Sequence, residues 1–255
     1  MSNQNTTTYE VKHGAAWICL NRPESRNALS GELITELYDH LAASNEDDNV
    51  RCMVITGKGV AFCAGADLKN PPKPGEGGRI VKYEQLLKAI LDSPKPIISA
   101  VNGAAFAGGL GLVGASDIAI TVDNIQFSFS EVRIGVIPAI ISVVCIPKLG
   151  LSNARKLFLT GERFSANQAV AMGLAHRAVS PDQLMQVVQE EIDAIRLGSP
   201  HAIREAKKLV RRVVELPVDE AFTMAAQWSE EMFRSDEAAE GVAAFREKRK
   251  ARWAV

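Results

Sequence analysis

Glu131 stands in a largely apolar stretch, residues 127–139 (FSFSEVRIGVIPA), just ahead of a glycine and a proline. A carboxylate in such surroundings loses solvation, its pKa rises, and it can exchange protons near neutral pH. Two other segments suit a carbonyl oxygen. Residues 61–68 (AFCAGADL) are mostly small, so a ligand can approach the backbone closely and meet the amide of Ala66. Residues 102–117 (NGAAFAGGLGLVGASD) run from a strand into a helix expected to start near Gly108 and Gly109. A helix N-terminus has unpaired N–H groups and positive dipole charge, which can hold an oxyanion. Each segment alone has a plainer reading: a small-residue loop, a helix packed tightly on glycine, and a glutamate that is solvated or paired with Arg133.

The elements around these segments alternate. Residues 7–11 and 15–20 flank Lys12-His13-Gly14 and predict a hairpin. Leu33, Leu37 and Leu41 recur at i+4 and predict a helix over residues 30–43. Residues 50–56, 96–101, 117–121 and 126–128 read as strands, and the alternation argues an α/β fold. The second half reads as helices with clear caps. Ser165 with Gln168 forms a capping box and Gly173 closes that helix. Ser180-Pro181 and Ser199-Pro200 each pair an N-cap with proline at the first helical position. Pro217 and Ser235 open two more, and residues 139–149 read as another helix. A soft boundary near residue 195 divides a core, residues 1–195, from a helical subdomain, residues 196–255. Residues 70–79 (NPPKPGEGGR) sustain neither helix nor strand and read as a surface loop or a lip over a site.

At 255 residues the chain can bury a full core without staples, and 47% hydrophobic with 23% charged residues excludes disorder and fibrous classes. The net charge of −1 gives no global pull toward nucleic acid or anionic membrane. Cys19, Cys52, Cys63 and Cys145 are scattered, which reads as free core thiols. His13, His40, His176 and His201 do not cluster, so no metal site is expected. With no apolar leader and no long apolar run, the expected location is the cytoplasm.

Five runs together resemble the enoyl-CoA hydratase/isomerase (crotonase) superfamily, in its order and spacing. They are residues 21–29 (NRPESRNAL), 54–68 (VITGKGVAFCAGADL), 95–112 (KPIISAVNGAAFAGGLGL), 130–139 (SEVRIGVIPA) and 159–179 (LTGERFSANQAVAMGLAHRAV). The resemblance implies a stacked ββα spiral with a C-terminal helical trimerisation subdomain. It implies an acyl-CoA thioester substrate of the kind used in fatty-acid β-oxidation, and no separate cofactor, coenzyme A being part of the substrate. The amides of Ala66 and Gly108 match the oxyanion hole that would stabilise an enolate. Arg26, Ala28, Ala64, Asp67 and Leu68 match positions lining the CoA pocket. Lys248 is the candidate for a C-terminal lysine near the CoA phosphates. A homotrimer or a dimer of trimers is expected, and Phe222, Met224, Trp228 and Phe233 supply apolar surface for it.

One departure stands out. Family hydratases typically carry two glutamates twenty positions apart, one activating water at C3 and one moving a proton at C2. Here the second is Glu131 and the first position is Gly111. Asp117 matches an aspartate of structural character and does not replace it. The leading expectation is a hydratase in which Glu131 carries both roles. Residues 130–142 (SEVRIGVIPAIIS) resemble a branch that includes bacterial hydratases of branched enoyl-CoAs. The alternative is a single-carboxylate isomerase moving a proton between C2 and C4 of a 3-enoyl-CoA. In a third reading the chain is a non-catalytic acyl-CoA- or RNA-binding paralogue. It rests on the missing glutamate and on basic residues 246–252 with Lys207, Lys208, Arg211 and Arg212, which near-neutral charge makes a solvated face instead. A carboxylate restored at Gly111, on the first turn of its helix, is expected to be accommodated.

Overall fold

The computed structural model of the chain describes residues 5–69 and 79–254. The loop expected at residues 70–79 lies, apart from Arg79, outside them. β1 (Thr7–Lys12) and β2 (Ala15–Leu20) form the expected antiparallel hairpin, turned by His13 and Gly14 at positive φ. α1 (Gly31–Glu46) follows, with the Ser30 side chain accepting a hydrogen bond from the Leu33 amide.

Three units of strand, strand and helix come next. They are β3 (Cys52–Gly57), β4 (Ala61–Cys63) and α2 (Tyr83–Asp92); β5 (Ile97–Val101), β6 (Ala104–Phe106) and α3 (Gly108–Ala115); β7 (Ile118–Val122), β8 (Gln126–Ser128) and α4 (Ala139–Thr160). In each unit the first strand joins a large sheet and the second joins a small one. With β9 (Arg163–Ser165) and β10 (Arg177–Val179), the large sheet runs β1-β2-β3-β5-β7-β10 and the small one β4-β6-β8-β9. Every pair within the three units' strands is parallel. This is the stacked ββα arrangement that the resemblance implies. Its repeat is one of topology, and the sequences of the three units share no visible period.

The inner strands of the large sheet, β2, β3, β5 and β7, are buried on both faces, so they read as continuous apolar runs. Ile18, Met53, Ile55, Ile97 and Val101 face the small sheet and α1 to α4. Trp17, Val54, Ile98 and Ile120 face the other way, against Leu184, Val187, Val188 and Ile192 of α6 (Leu184–Leu197). α5 (Ala166–Ala171) has the expected Ser165–Gln168 capping box. Ser180 is a correction: it does not cap a helix. Residues 181–183 form a turn, α6 starts at Leu184, and the Ser180 hydroxyl bonds the Gln183 side chain. The helix expected over residues 139–149 ends there: Gly150, at φ 71° and ψ 159°, is not helical and kinks α4 into that helix and a second one that continues to Thr160.

α7 (Pro200–Val213), α8 (Val218–Phe233) and α9 (Asp236–Arg246) bury little: no residue of α7, only Ala221 of α8 and only Ala244 of α9. Phe222, Phe233 and Phe245 are exposed, while Met224 and Trp228 are half-buried. Several of the basic residues here are paired within the chain. Lys207 pairs with Asp117 at 2.7 Å, Arg211 with Asp92 at 2.9 Å and Arg249 with Glu240 at 2.7 Å. No helix among the described residues is long and apolar enough to cross a membrane. Cys19, Cys52, Cys63 and Cys145 are free thiols, all but Cys19 buried.

Candidate active site

β4, β6 and β8 lie side by side and parallel in the small sheet, so the segments leaving their C-terminal ends emerge at one edge. Those segments are the loop 64–68, the start of α3, and the 3-10 turn Ser130–Ile134 that carries Glu131. The topology thus brings together the three segments whose composition suggested chemistry. Ligand sites at the carboxyl ends of parallel strands are a general outcome of such sheets.

The first two segments touch. Gly65, at φ 93°, has no room for a side chain: a Cβ there would lie 3.0 Å from the Phe106 carbonyl oxygen and 3.3 Å from the Gly108 amide. A Cβ on Gly108 would in turn lie 3.7 Å from the Ala66 amide. Among the described residues neither the Ala66 nor the Gly108 N–H has an acceptor. The flanking amides are used: Leu29 donates to the Gly65 carbonyl at 2.8 Å, and Asp67 donates to the Leu29 carbonyl at 3.1 Å. Ala107, before α3, holds φ 48° and ψ −120°, and its own amide is tied to the Ser128 carbonyl at 3.0 Å. This strained joint sets the path of the backbone into Gly108 at the start of α3. The plainer reading of the glycines also holds, at the neighbouring position. Gly109 packs onto Cys63, where a Cβ would run into the Cys63 carbonyl.

Polar side chains, one buried and two half-buried, hold the edge in place. Asn27 (φ 56°) donates to the carbonyls of Lys58 at 3.1 Å and Ala61 at 2.8 Å. Asn102 accepts from the Gly57 amide at 3.0 Å and donates to the Gly59 carbonyl at 3.0 Å. Arg22 pairs with Asp67 at 2.8 Å and also donates to the Ala28 carbonyl. These tethers were missed in the sequence, where an isolated Asn or Arg carries no signal. Asp67 spends a carboxylate oxygen inside the protein. Ala28 is buried, while Arg26, Ala66 and Leu68 are exposed and Ala64 is half-exposed. The Ala64 amide donates to the Arg26 carbonyl at 3.0 Å, so the two expected pocket segments form one surface.

Glu131 is half-buried. Phe129, fully buried against Phe158 and Phe164, anchors its turn from two residues upstream, and Gly135 ends the turn at φ 80°. Oε2 of Glu131 is buried with no hydrogen-bond partner. It makes no ion pair with Arg133 among the described residues. Burial pushes the carboxyl above the usual range, opposed only by its own backbone amide. A buried, unpaired carboxylate oxygen costs stability, and such costs concentrate at functional sites.

Gly111 and Asp117 sit differently. Gly111 is buried in α3, facing Tyr83, Ile141 and Leu87. The expectation that a glutamate fits there is corrected by this packing. A Cβ on Gly111 would overlap the Tyr83 hydroxyl and stand 2.6 Å from Ile141 Cγ2. Asp117 lies at the opposite end of the large sheet from the site, accepting from the Ile97 amide at 2.8 Å and from Lys207. Lys248 is exposed in the turn after α9, and the tail beyond it docks on Arg51, before β3, through the Trp253 carbonyl at 3.0 Å. That is also the end away from the site.

Known proteins share the family and the fold. The family model described as enoyl-CoA hydratase/isomerase matches residues 10–255. A protein of Thermus thermophilus named putative enoyl-CoA hydratase is 33% identical over 96% of this chain and 99% of its own length. Carnitinyl-CoA dehydratase of Proteus mirabilis is 32% identical over 92% of this chain and 93% of its own. The crystal structure of an enoyl-CoA hydratase/isomerase from Marinobacter aquaeolei superposes with a TM-score of 0.89 at 33% identity, covering 98% of this chain and 99% of that one.

Proposed function

The chain belongs to the enoyl-CoA hydratase/isomerase family, and from that premise we propose that it adds water to a 2-enoyl-CoA, with Glu131 as its one proton-transferring group. The observation that carries this reading is the orphaned carboxylate oxygen of Glu131 on the same sheet edge as two amides that have no acceptor among the described residues. The thioester oxygen would accept from the N–H groups of Ala66 and Gly108. These donors are fixed before the substrate arrives, so they favour the enolate without reorganising. Water would add at C3 and give a proton to Glu131, which would return it to C2. A carboxyl with a raised pKa suits both halves of that exchange. The names of the relatives support hydration or its reverse.

The exposed apolar side chains Leu68, Ile137 and Ile140 flank the site segments and suit an acyl chain. Arg26 and the backbone of Ala28 and Ala64 suit the CoA moiety. Exposed Phe222 and Phe233 suit a trimer, which would also offer Lys248 a route to the site of another subunit.

A second reading is favoured by the packing at Gly111, which leaves one carboxylate: isomerisation of a 3-enoyl-CoA, for which one carboxylate suffices. Incubation with crotonyl-CoA and with 3-hexenoyl-CoA, with products identified by mass spectrometry and NMR, separates the two. The hydratase gives 3-hydroxybutyryl-CoA from the first. The isomerase leaves crotonyl-CoA unhydrated and gives 2-hexenoyl-CoA from the second.

A further inference from the structure

Tyr83, the first residue of α2, reaches across to α3 and donates its O–H to the carbonyl of Gly108. Gly108 is the residue whose N–H belongs to the candidate oxyanion pair. The phenol also fills the space that a side chain at Gly111 would need, beside Ile141 and Leu87. The second polar group of this centre is therefore a neutral hydroxyl held on a rigid ring. Burial keeps the phenol protonated far above neutral pH, and the nearby Glu131 carboxylate adds to this. Its single proton is committed to Gly108, so toward any further partner it can only accept.

A water that attacks carbon must aim a lone pair. With Glu131 as its sole acceptor it would rotate about that one hydrogen bond, and a second acceptor fixes it. Building on the hydratase reading, we propose that Tyr83 Oη accepts the second hydrogen bond of the attacking water, in place of another carboxylate. The water oxygen forms its bond to C3 while one O–H proton passes to Glu131. The C2–C3 π electrons move into the enolate held by Ala66 and Gly108. Glu131 then delivers the proton to C2, and the hydroxyl on C3 keeps the hydrogen that pointed at Tyr83.

The test uses Tyr83→Phe and two readouts on the full chain. One is hydration of crotonyl-CoA. The other is deuterium uptake at C2 of butyryl-CoA in D2O, which needs Glu131 and the oxyanion pair but no attacking water. The expected result is a loss of hydration on the order of 10²-fold, mostly in kcat, with C2 exchange retained. Tyr83→Met gives up the same hydroxyl with a side chain that repacks, and it should show the same split if the Phe variant does not fold. Unchanged hydration overturns the proposal. So does a parallel fall in hydration and exchange, because Tyr83 would then act only by holding Gly108. A wild-type protein that exchanges C2 but hydrates no 2-enoyl-CoA overturns the hydratase reading and the water role together, and leaves the assignment of Glu131 standing.

Discussion

Tyr83 and Gly111 share one space: the phenol of Tyr83 stands where a Cβ on residue 111 would go. Two helices, α2 and α3, meet there with no gap. Gly111→Ala is therefore expected to overpack the contact and cost about 1–3 kcal/mol, a fall of several degrees in Tm for a chain of this size. Gly111→Glu is expected not to fold stably. In a Tyr83→Phe background the alanine costs less, because the overlapping atom is gone. A thermal melt of the four proteins reads the coupling. Additive effects would show that the hydroxyl and residue 111 do not compete.

Gly108→Ala is expected to be folded and inactive. Its Cβ meets Leu29 Cδ1 at 2.9 Å, the movable end of a side chain, and comes 3.7 Å from the Ala66 amide, within the proposed oxyanion hole. Turnover should fall on the order of 10²–10³-fold. Gly109→Ala is the contrast, because its Cβ meets the Cys63 backbone, which cannot move away. That variant should lose stability first, measured as Tm. Equal behaviour of the two would mean that Gly108 has only a packing role.

Glu131→Gln should be more thermostable than the wild type at pH 7. The folded carboxyl has its pKa raised above the unfolded value of 4.5, so between the two the native state holds more protons than the unfolded one. Stability therefore falls as pH rises through that window, and the full penalty is present above it. The glutamine removes the penalty, so the gain should shrink to nothing as pH drops below 4.5. Melts at pH 4 and pH 7 check the trend. A wild type that is the more stable at pH 7 would mean that Glu131 is satisfied in the fold.

Asp67→Ala is expected to destabilise by about 3–5 kcal/mol, because it leaves the Arg22 guanidinium, 16% exposed, without its partner. It should also loosen the loop that presents Ala66, raising KM. Urea titration and steady-state kinetics measure the two effects. A loss of activity with unchanged stability would place the Asp67 carboxylate on the substrate instead.

Much of the fold and of the site is legible in the amino-acid sequence. The caps at Ser165, Ser199 and Ser235 form as their local chemistry suggests, whereas Ser180-Pro181 carries the same signature as Ser199-Pro200 and caps no helix. The segments holding Glu131, Ala66 and Gly108 stand out in residue size and polarity, while the roles proposed for these residues rest on the five runs taken together. β4, β6, β9 and β10 are not legible, although the equally short β8 is, because three residues leave alternation little room to register a period. α2 has Lys82 at its N-cap, not one of the usual capping residues, and its first turn is tied by the Gln85 side chain, which accepts from the Lys82 amide at 2.9 Å. The role of Tyr83 is out of reach for a different reason. It depends on two helices packing side by side, 28 residues apart in sequence, and no spacing rule reports that.

The central claim is that Glu131 alone moves protons at C2 of an acyl-CoA held by Ala66 and Gly108. Deuterium uptake at C2 of butyryl-CoA in D2O, compared between wild type and Glu131→Gln, tests it whichever net reaction the enzyme performs. The wild type should exchange, and the glutamine variant, folded, should be slower on the order of 10²–10⁴-fold. Exchange by Glu131→Gln at the wild-type rate would contradict the claim.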